Sequence, residues 1–445
     1  MARPLQTIIL LATIAGPAVG QGWTALGVGV DGPVYCLAVY KNELYAGGRF
    51  TTAGVAPAAN IARWNGVGWS SLGSGTNGAV HALFVYDGEL HVGGDFTSCG
   101  GMACNHVARW DGSGWTPVGS GLNGPVFSMV DYQGVLYIGG DFTRAGTRSV
   151  NHIAAWDGGG WRDVSGGVNN TVHVLTVTDA SDLYADLYVG GAFVLQDLSR
   201  IAWYHPAYQA WRATVWGGFD APVFAFANYA GGLVAGGSFA STGAGASASR
   251  LAQRGNDFNG GADGAVYTLH AEESDLYVGG FFTSVGPAPG VAASNIAKWD
   301  GSRWEALGSG TDNSVRAIVV FQEQLYAGGE FEAAGGMRVN HVARWGAATE
   351  VTSTPPAIPA VVTLQSYPNP FNPSTTIKYE LHRASVVRLS VHNILGREVS
   401  ILMNEKRGAG VYEVNFDASN MPSGIYLCRL QAGDHLQSCK LVLLR

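Results

Sequence analysis

Charge is what this sequence has least of. Asp, Glu, Lys and Arg make up only 13% of its 445 residues, against roughly 25% in an ordinary soluble domain. The formal net charge is −7 and no basic run occurs, so a nucleic-acid partner has no electrostatic support. Beyond the first twenty residues no apolar run reaches the about 20 residues that cross a bilayer as a helix, so the mature form is expected to lack a transmembrane helix. There are only 5 cysteines and no Cys-x-x-Cys, which argues against zinc or thioredoxin-type chemistry. Gly-x-Ser-x-Gly, His-Glu-x-x-His and phosphate-loop motifs are missing as well. No cofactor or metal is called for.

Glycine, by contrast, is abundant at 64 residues, alongside 13 Trp and 18 Tyr. Gly weakens a helix by about 1 kcal/mol per residue, and disorder goes with few aromatics and high net charge. The composition therefore points to many short strands joined by tight turns. At the N-terminus, Arg3, the apolar run Thr7 to Ala15 and the small residues Ala18-Val19-Gly20 read as a signal peptide over 1–20, with Gln21 as the new N-terminus.

Export allows cysteines to pair. Cys99 and Cys104 bracket Gly-Gly-Met-Ala. Cys428 and Cys439 lie at matching distances from a turn at Gly433-Asp434, facing each other across a hairpin. Each couple is a disulfide candidate worth about 2 to 3 kcal/mol; the alternative is a pair of semi-buried thiols. Cys36 is left over as a small core residue.

One phrase recurs seven times: an apolar strand, Leu-Tyr-x-Gly-Gly-x-Phe, a loop, then Ile-Ala-Arg-Trp. The double glycines begin at Gly47, Gly93, Gly139, Gly190, Gly236, Gly279 and Gly328, in steps of 46, 46, 51, 46, 43 and 49 residues. Short strands at that period signify propeller blades of four strands, so an all-β, seven-bladed β-propeller is expected over 21–346. The last unit stops at Ala343-Arg344-Trp345 without a fourth strand, and Gly22-Trp23-Thr24-Ala25-Leu26-Gly27 supplies one. Ring closure by this N-terminal strand would set Trp23 beside Trp345. The fourth unit carries Tyr204-His205-Pro206 in place of Asp-Gly, and the fifth has Arg254 in place of Trp; both read as drift, though irregular blades can also mark a functional face. The double Gly followed by aromatics resembles kelch-type propellers. The Gly-Gly-x-Phe and Trp-x-x-Leu-Gly phrases are closer still to fungal cortical-marker propellers. The resemblance covers 22–345 and implies a fold, not a function.

Residues 347–361 are rich in Pro, Thr and Ala and read as a semi-rigid linker. Short alternating strand signals from Thr376 to Leu444 then suit a small Ig-like β-sandwich over 362–445. Tyr367-Pro368-Asn369-Pro370-Phe371-Asn372-Pro373 forbids helix and forms an extended lead-in. This stretch, with Asn393–Val399 including Gly396, Phe416–Ser419, Pro422–Tyr426 including Gly424 and Tyr426, and Lys440–Arg445, resembles the type A C-terminal sorting domain of type IX secretion substrates. The resemblance implies a secreted protein that reaches the extracellular space or the outer surface of a Gram-negative bacterium. It also implies recognition by the sorting machinery of the outer membrane, and often removal of the domain with attachment of the cargo to lipopolysaccharide.

Candidate chemistry in the repeats is thin. His106, His152 and His341 fall four residues before their Trp, where Asn60 and Asn295 stand in other repeats; a metal ring is conceivable, but a strand-end hydrogen bond suits the exchange better. Asp95, Asp141 and Glu330 follow double glycines and read as turn or loop caps. Asp111-Gly112-Ser113-Gly114-Trp115 is a hairpin turn rather than a sialidase Asp-box. Nothing pairs Glu272, Glu273 or Glu323 as acid and base. Arg63-Trp64, Arg109-Trp110 and Arg344-Trp345 could stack on sugars, but their repetition favours structure. The leading reading is a binding module for a glycan or protein. A purely structural surface protein and a hydrolase or lyase with an unrecognised site are the alternatives.

Overall fold

Each repeat folds into one antiparallel sheet, because its apolar runs are cut at regular intervals by Gly-containing turns. The computed structural model describes residues 21–178, 186–195, 198–254, 256, 258–347, 361–381, 385–393, 397–408, 410–432 and 435–444. The expected signal peptide, nearly all of the expected linker, the Gly433-Asp434 turn and Gly396 lie outside these residues. The chain divides into two compact units, Met1–Glu350 and Val351–Arg445. Both are all-β; among the described residues the helical content is one 3₁₀ turn, Phe258–Gly260.

In the second repeat the strands run Val80–Tyr86, Glu89–Gly94, Val107–Trp110 and Trp115–Pro117, in that order across the sheet. The first, third, fourth and sixth repeats have the same four-stranded order. Among the described residues the fifth has three strands, Val223–Tyr229, Gly232–Gly237 and Leu251–Gln253. The last sheet takes its fourth strand from the other end of the region: Gln21–Ala25 pairs antiparallel with Val342–Ala347, Trp23 opposite Trp345. First strands of successive sheets touch in chain order, and Val315–Phe321 of the last touches Val34–Tyr40 of the first. The succession of sheets closes on itself.

Packing explains the double glycine. The second strand of a repeat is covered on both faces, buried from Leu90 through Gly94 in the second. A methyl group on Gly93 would lie 2.4 Å from Val126 Cγ1 of the next sheet, and one on Gly94 would lie 2.0 Å from the Ala79 carbonyl oxygen. Gly328 faces Val34 in the same way, at 2.5 Å, across the closure.

Two further devices recur. Trp23, Trp69, Trp115 and Trp304 donate their indole N–H to a carbonyl of the preceding repeat: Leu307, Leu26, Leu72 and Phe258, at 2.7–2.9 Å. Ahead of each first strand, an Asp or Asn clamps the loop that follows the double glycine. Asp31 accepts the N–H groups of Thr51 and Thr52 at 2.7 and 2.8 Å. Asn77, Asn123, Asp220, Asp263 and Asp312 do the same in their repeats.

The C-terminal unit has two sheets. One contains Val361–Tyr367, Ser374–Leu381 and Gly410–Asp417. The other is ordered Glu398–Arg407, Ser385–Asn393, Gly424–Ala432 and His435–Leu443. Phe371, Ile377, Tyr379, Leu389, Phe416 and Leu441 share one core. The strand at Val361–Tyr367 corrects the sequence reading, which ran the linker to 361 and began strands at Thr376. The apolar run from Val361 directly follows a Pro-rich stretch, which masks its strand signal.

Candidate functional site

Every first strand of the repeats carries a β-bulge near its start. The register slips between Val34 and Cys36, Val80 and Ala82, Val126 and Ser128, and at the matching place in the other sheets. A bulge leaves one residue outside the ladder and re-aims its side chain. The residues released are Tyr35, His81, Phe127, His173, Phe224, Tyr267 and Arg316, and they touch in succession. Ring centres lie 5.1 Å apart for Tyr35–His81, 5.3 Å for His81–Phe127 and 5.9 Å for Phe127–His173. They lie 5.2 Å apart for His173–Phe224 and 5.5 Å for Phe224–Tyr267. The Arg316 guanidinium sits 3.9 Å from the centre of the Tyr267 ring, a cation–π contact. Equivalent residues on successive sheets of a closed circuit meet only near its axis, so this belt surrounds the axis. Burial lowers the pKa of His173, against the pull of the Asp141 carboxylate. His173 is therefore neutral at pH 7, with one donor and one acceptor nitrogen.

The residues after the double glycines hold one equivalent position on successive sheets and so form a rim, which reaches the belt through two side chains. Asp95 lies 3.0 Å from His81 Nε2, and Glu330 accepts a hydrogen bond from Arg316 Nη2 at 2.9 Å. Asp141 lies 3.4 Å from His152 Nδ1. The rim has two arcs. Glu330, Arg49, Asp95 and Asp141, on consecutive sheets, are charged. Ala192, Ser238 and Phe281, on the other three, are not, and Phe281 is 59% exposed. Within the charged arc, Arg316 Nε is buried without a hydrogen-bond partner.

The sequence reading missed the belt. Its signal is the residue after a recurrent Val: Val34-Tyr35, Val80-His81, Val126-Phe127, Val172-His173, Val223-Phe224, Val266-Tyr267 and Val315-Arg316. The caps assigned to Asp95 and Glu330 are corrected too, since both side chains reach belt residues; the loop caps are Asp31 and its equivalents. Asn60, His106, His152, Asn295 and His341 all adopt left-handed backbone, φ 62° to 71°. In this joint the His106 carbonyl accepts the Gly94 N–H at 3.1 Å and its own N–H donates to Phe96 at 2.7 Å. Arg63 and Arg109 pair with Glu43 and Glu89 at 3.1 and 2.9 Å, while Arg344 donates to the Thr24 hydroxyl. Asp111 accepts the N–H groups of Ser113 and Gly114, as a turn residue does. Glu272 lies 3.3 Å from His270.

Cys99 and Cys104 form a disulfide, with Cα atoms 5.8 Å apart. Cys428 and Cys439 stand opposite each other in register but are free thiols. A hydrogen bond between them raises the pKa of Cys428 and lowers that of Cys439. The second expected disulfide is thus not formed in this structure: strand register decides which residues face each other, not the sulfur–sulfur torsion a bond requires. Cys36 donates its thiol to the Val80 carbonyl of the next sheet at 3.8 Å.

In the C-terminal unit, Tyr367 to Ser374 is held against the last strand. Phe371 is buried; its N–H donates to Val442 at 2.9 Å and its carbonyl accepts from Leu444 at 3.0 Å. Asn369 donates to the Lys440 carbonyl at 2.6 Å and accepts the Val442 N–H at 2.9 Å. The Thr375 hydroxyl donates to the Pro368 carbonyl. Around these anchors Pro368, Pro370, Asn372 and Pro373 are exposed, and Tyr367 is 83% exposed. Gly424 opens the strand Gly424–Ala432, and the Tyr426 hydroxyl donates to the Pro422 carbonyl at 2.8 Å. The two ends of the unit are thereby stitched into one surface.

Residues 365–444 match the secretion system C-terminal sorting domain. This sorting domain marks the chain for export to the cell surface or extracellular space and implies contact with type IX secretion machinery. No helix among the described residues is long and apolar enough to cross a membrane. Among curated proteins none matches the chain. Solved structures similar to it include PorZ, an essential bacterial surface component of the type IX secretion system of Porphyromonas gingivalis, with 13% identity and a TM-score of 0.43 over 93% of this chain and 60% of that one. The match thus takes in less than two thirds of the PorZ chain. A Bacteroides thetaiotaomicron protein of unknown function is similar at 10% identity and a TM-score of 0.38, over 73% of this chain and 75% of that one.

Proposed function

We propose that this chain is an exported binding protein: a seven-bladed, kelch-like β-propeller that takes a glycan or protein ligand at its axial mouth. In this reading 1–20 is a cleaved signal peptide, 21–346 the propeller and 347–360 the spacer. An Ig-like sorting domain follows and delivers the propeller outward. The observation that carries the reading is the two-sided rim, with Glu330, Arg49, Asp95 and Asp141 on one arc and exposed Phe281 on the other. A belt that served packing alone would give no reason for an exposed Phe on a rim that also carries four charges. Catalysis has weaker support, because Asp95 and Glu330 are each engaged by a basic neighbour.

The test compares the full chain with its Arg49→Ala/Asp141→Ala/Phe281→Ala variant on glycan and peptide arrays. A ligand bound by the first and lost by the second supports the proposal. Identical patterns from the two proteins refute it.

A further inference from the structure

We infer that the axial mouth recognises a neutral carbohydrate, a pyranose seated between the two arcs of the rim. The inference rests on the reading of the mouth as a binding surface and adds the class of ligand.

The first argument is charge. Two arginines, Arg49 and Arg316, meet three carboxylates, Asp95, Asp141 and Glu330. Asp95 is engaged by His81 and Glu330 by Arg316. An acidic polymer entering the mouth would meet the carboxylates, and a cationic one would meet the arginines; like-charge juxtaposition selects against both. A neutral ligand meets neither penalty.

The second is hydrogen bonding. A sugar hydroxyl both donates and accepts. The charged arc offers acceptors at Asp141 and Asp95 and donors at Arg49. Hydrogen bonds between neutral hydroxyls and charged groups are the stronger kind.

The third is shape. The C–H face of a pyranose is apolar, and Phe281 presents an exposed aromatic ring on the rim, between the sheets that carry Ser238 and Glu330.

The experiment is saturation-transfer NMR on the full chain with the methyl glycosides of glucose, galactose, mannose and N-acetylglucosamine. Heparin and an unbiased peptide array serve as the charged and peptidic probes. At least one glycoside is expected to receive saturation from aromatic protons. Phe281→Ala and Asp141→Ala, both exposed positions, should each weaken it about tenfold or more while leaving the melting temperature unchanged. If no glycoside receives saturation, or both variants match the parent, the carbohydrate inference is overturned. If heparin or a peptide binds instead and the variants lose it, the ligand class is wrong while the mouth stands as a binding surface. If no probe separates the variants from the parent, the proposed function falls with it.

Discussion

Trp23 packs against Trp345 with ring centres 5.3 Å apart and donates its indole N–H to Leu307 of the preceding sheet at 2.9 Å. One side chain from the start of the region thereby joins the last two sheets. Trp23→Ala should cost about 3 to 5 kcal/mol, the range for truncating a buried aromatic. Removal of residues 21–30 should cost more, because it also exposes the edge of Val342–Ala347. Calorimetric melting measures both. If either protein melts like the parent, the closing strand contributes nothing to the circuit.

Much of this was legible in the chain. The double glycines, the Asp-Gly turns and the split last repeat each have a local physical cause, so Gly328, Asp111 and Trp23 could be assigned from period and turn chemistry alone. The axial belt was not read, because bulges are not apparent from alternation: a residue such as Phe127 looks like any strand aromatic until the register slip turns it inward. The loop clamps were missed for a related reason. Asp31 and Thr51 are brought together by the sheet between them, and nothing in their sequence spacing announces it. In the C-terminal unit the motif residues were recognisable, but the grip of Asn369 on Lys440 and Val442 depends on the order of strands.

Gly93→Ala tests why the repeat needs its double glycine. The new methyl would stand 2.4 Å from Val126 Cγ1 and 2.8 Å from Val126 Cβ. Overpacking of this kind costs about 1 to 3 kcal/mol. Val126→Ala on its own creates a cavity, yet in the double variant it makes room. A double-mutant cycle by denaturant unfolding should therefore give a favourable coupling of roughly 0.5 kcal/mol or more. Simple additivity would mean that the two positions do not share the space between neighbouring sheets.

Acid should loosen the repeats through their loop clamps. Burial raises the carboxyl pKa of Asp31, Asp220 and Asp263, but hydrogen bonds from loop N–H groups and hydroxyls outweigh it, so each ends below its ordinary value. A carboxylate with a depressed folded pKa stabilises fully above its unfolded pKa of about 3.9, and the contribution is lost as pH falls through the folded value. Asn77 and Asn123 make the same clamp without titrating, their amides donating to Thr97 and Thr143 at 3.0 and 3.1 Å. The variant Asp31→Asn/Asp220→Asn/Asp263→Asn should therefore keep its stability at pH 7 and lose less melting temperature than the parent between about pH 5 and pH 2. Equal slopes would assign the acid sensitivity to other groups, such as the turn residue Asp111, held at about 2 by the N–H groups of Gly114 and Ser113.

The exposed segment of the sorting domain can be separated from its anchors. Asn369→Ala removes both hydrogen bonds to the last strand, and Phe371→Ala removes a buried aromatic worth about 3 to 5 kcal/mol; both should lower the melt of the C-terminal unit and leave that of the repeats unchanged. Tyr367→Ala, at a side chain that is 83% exposed, should leave both melts in place. Surface delivery is measured by protease shaving of intact cells. If the machinery reads the outward face of the segment, Tyr367→Ala lowers the shaved fraction severalfold without any change in stability. If delivery instead falls only in the two anchor variants, in proportion to their loss of melting temperature, the machinery responds to the folded state of the domain and Tyr367 is not part of what it reads.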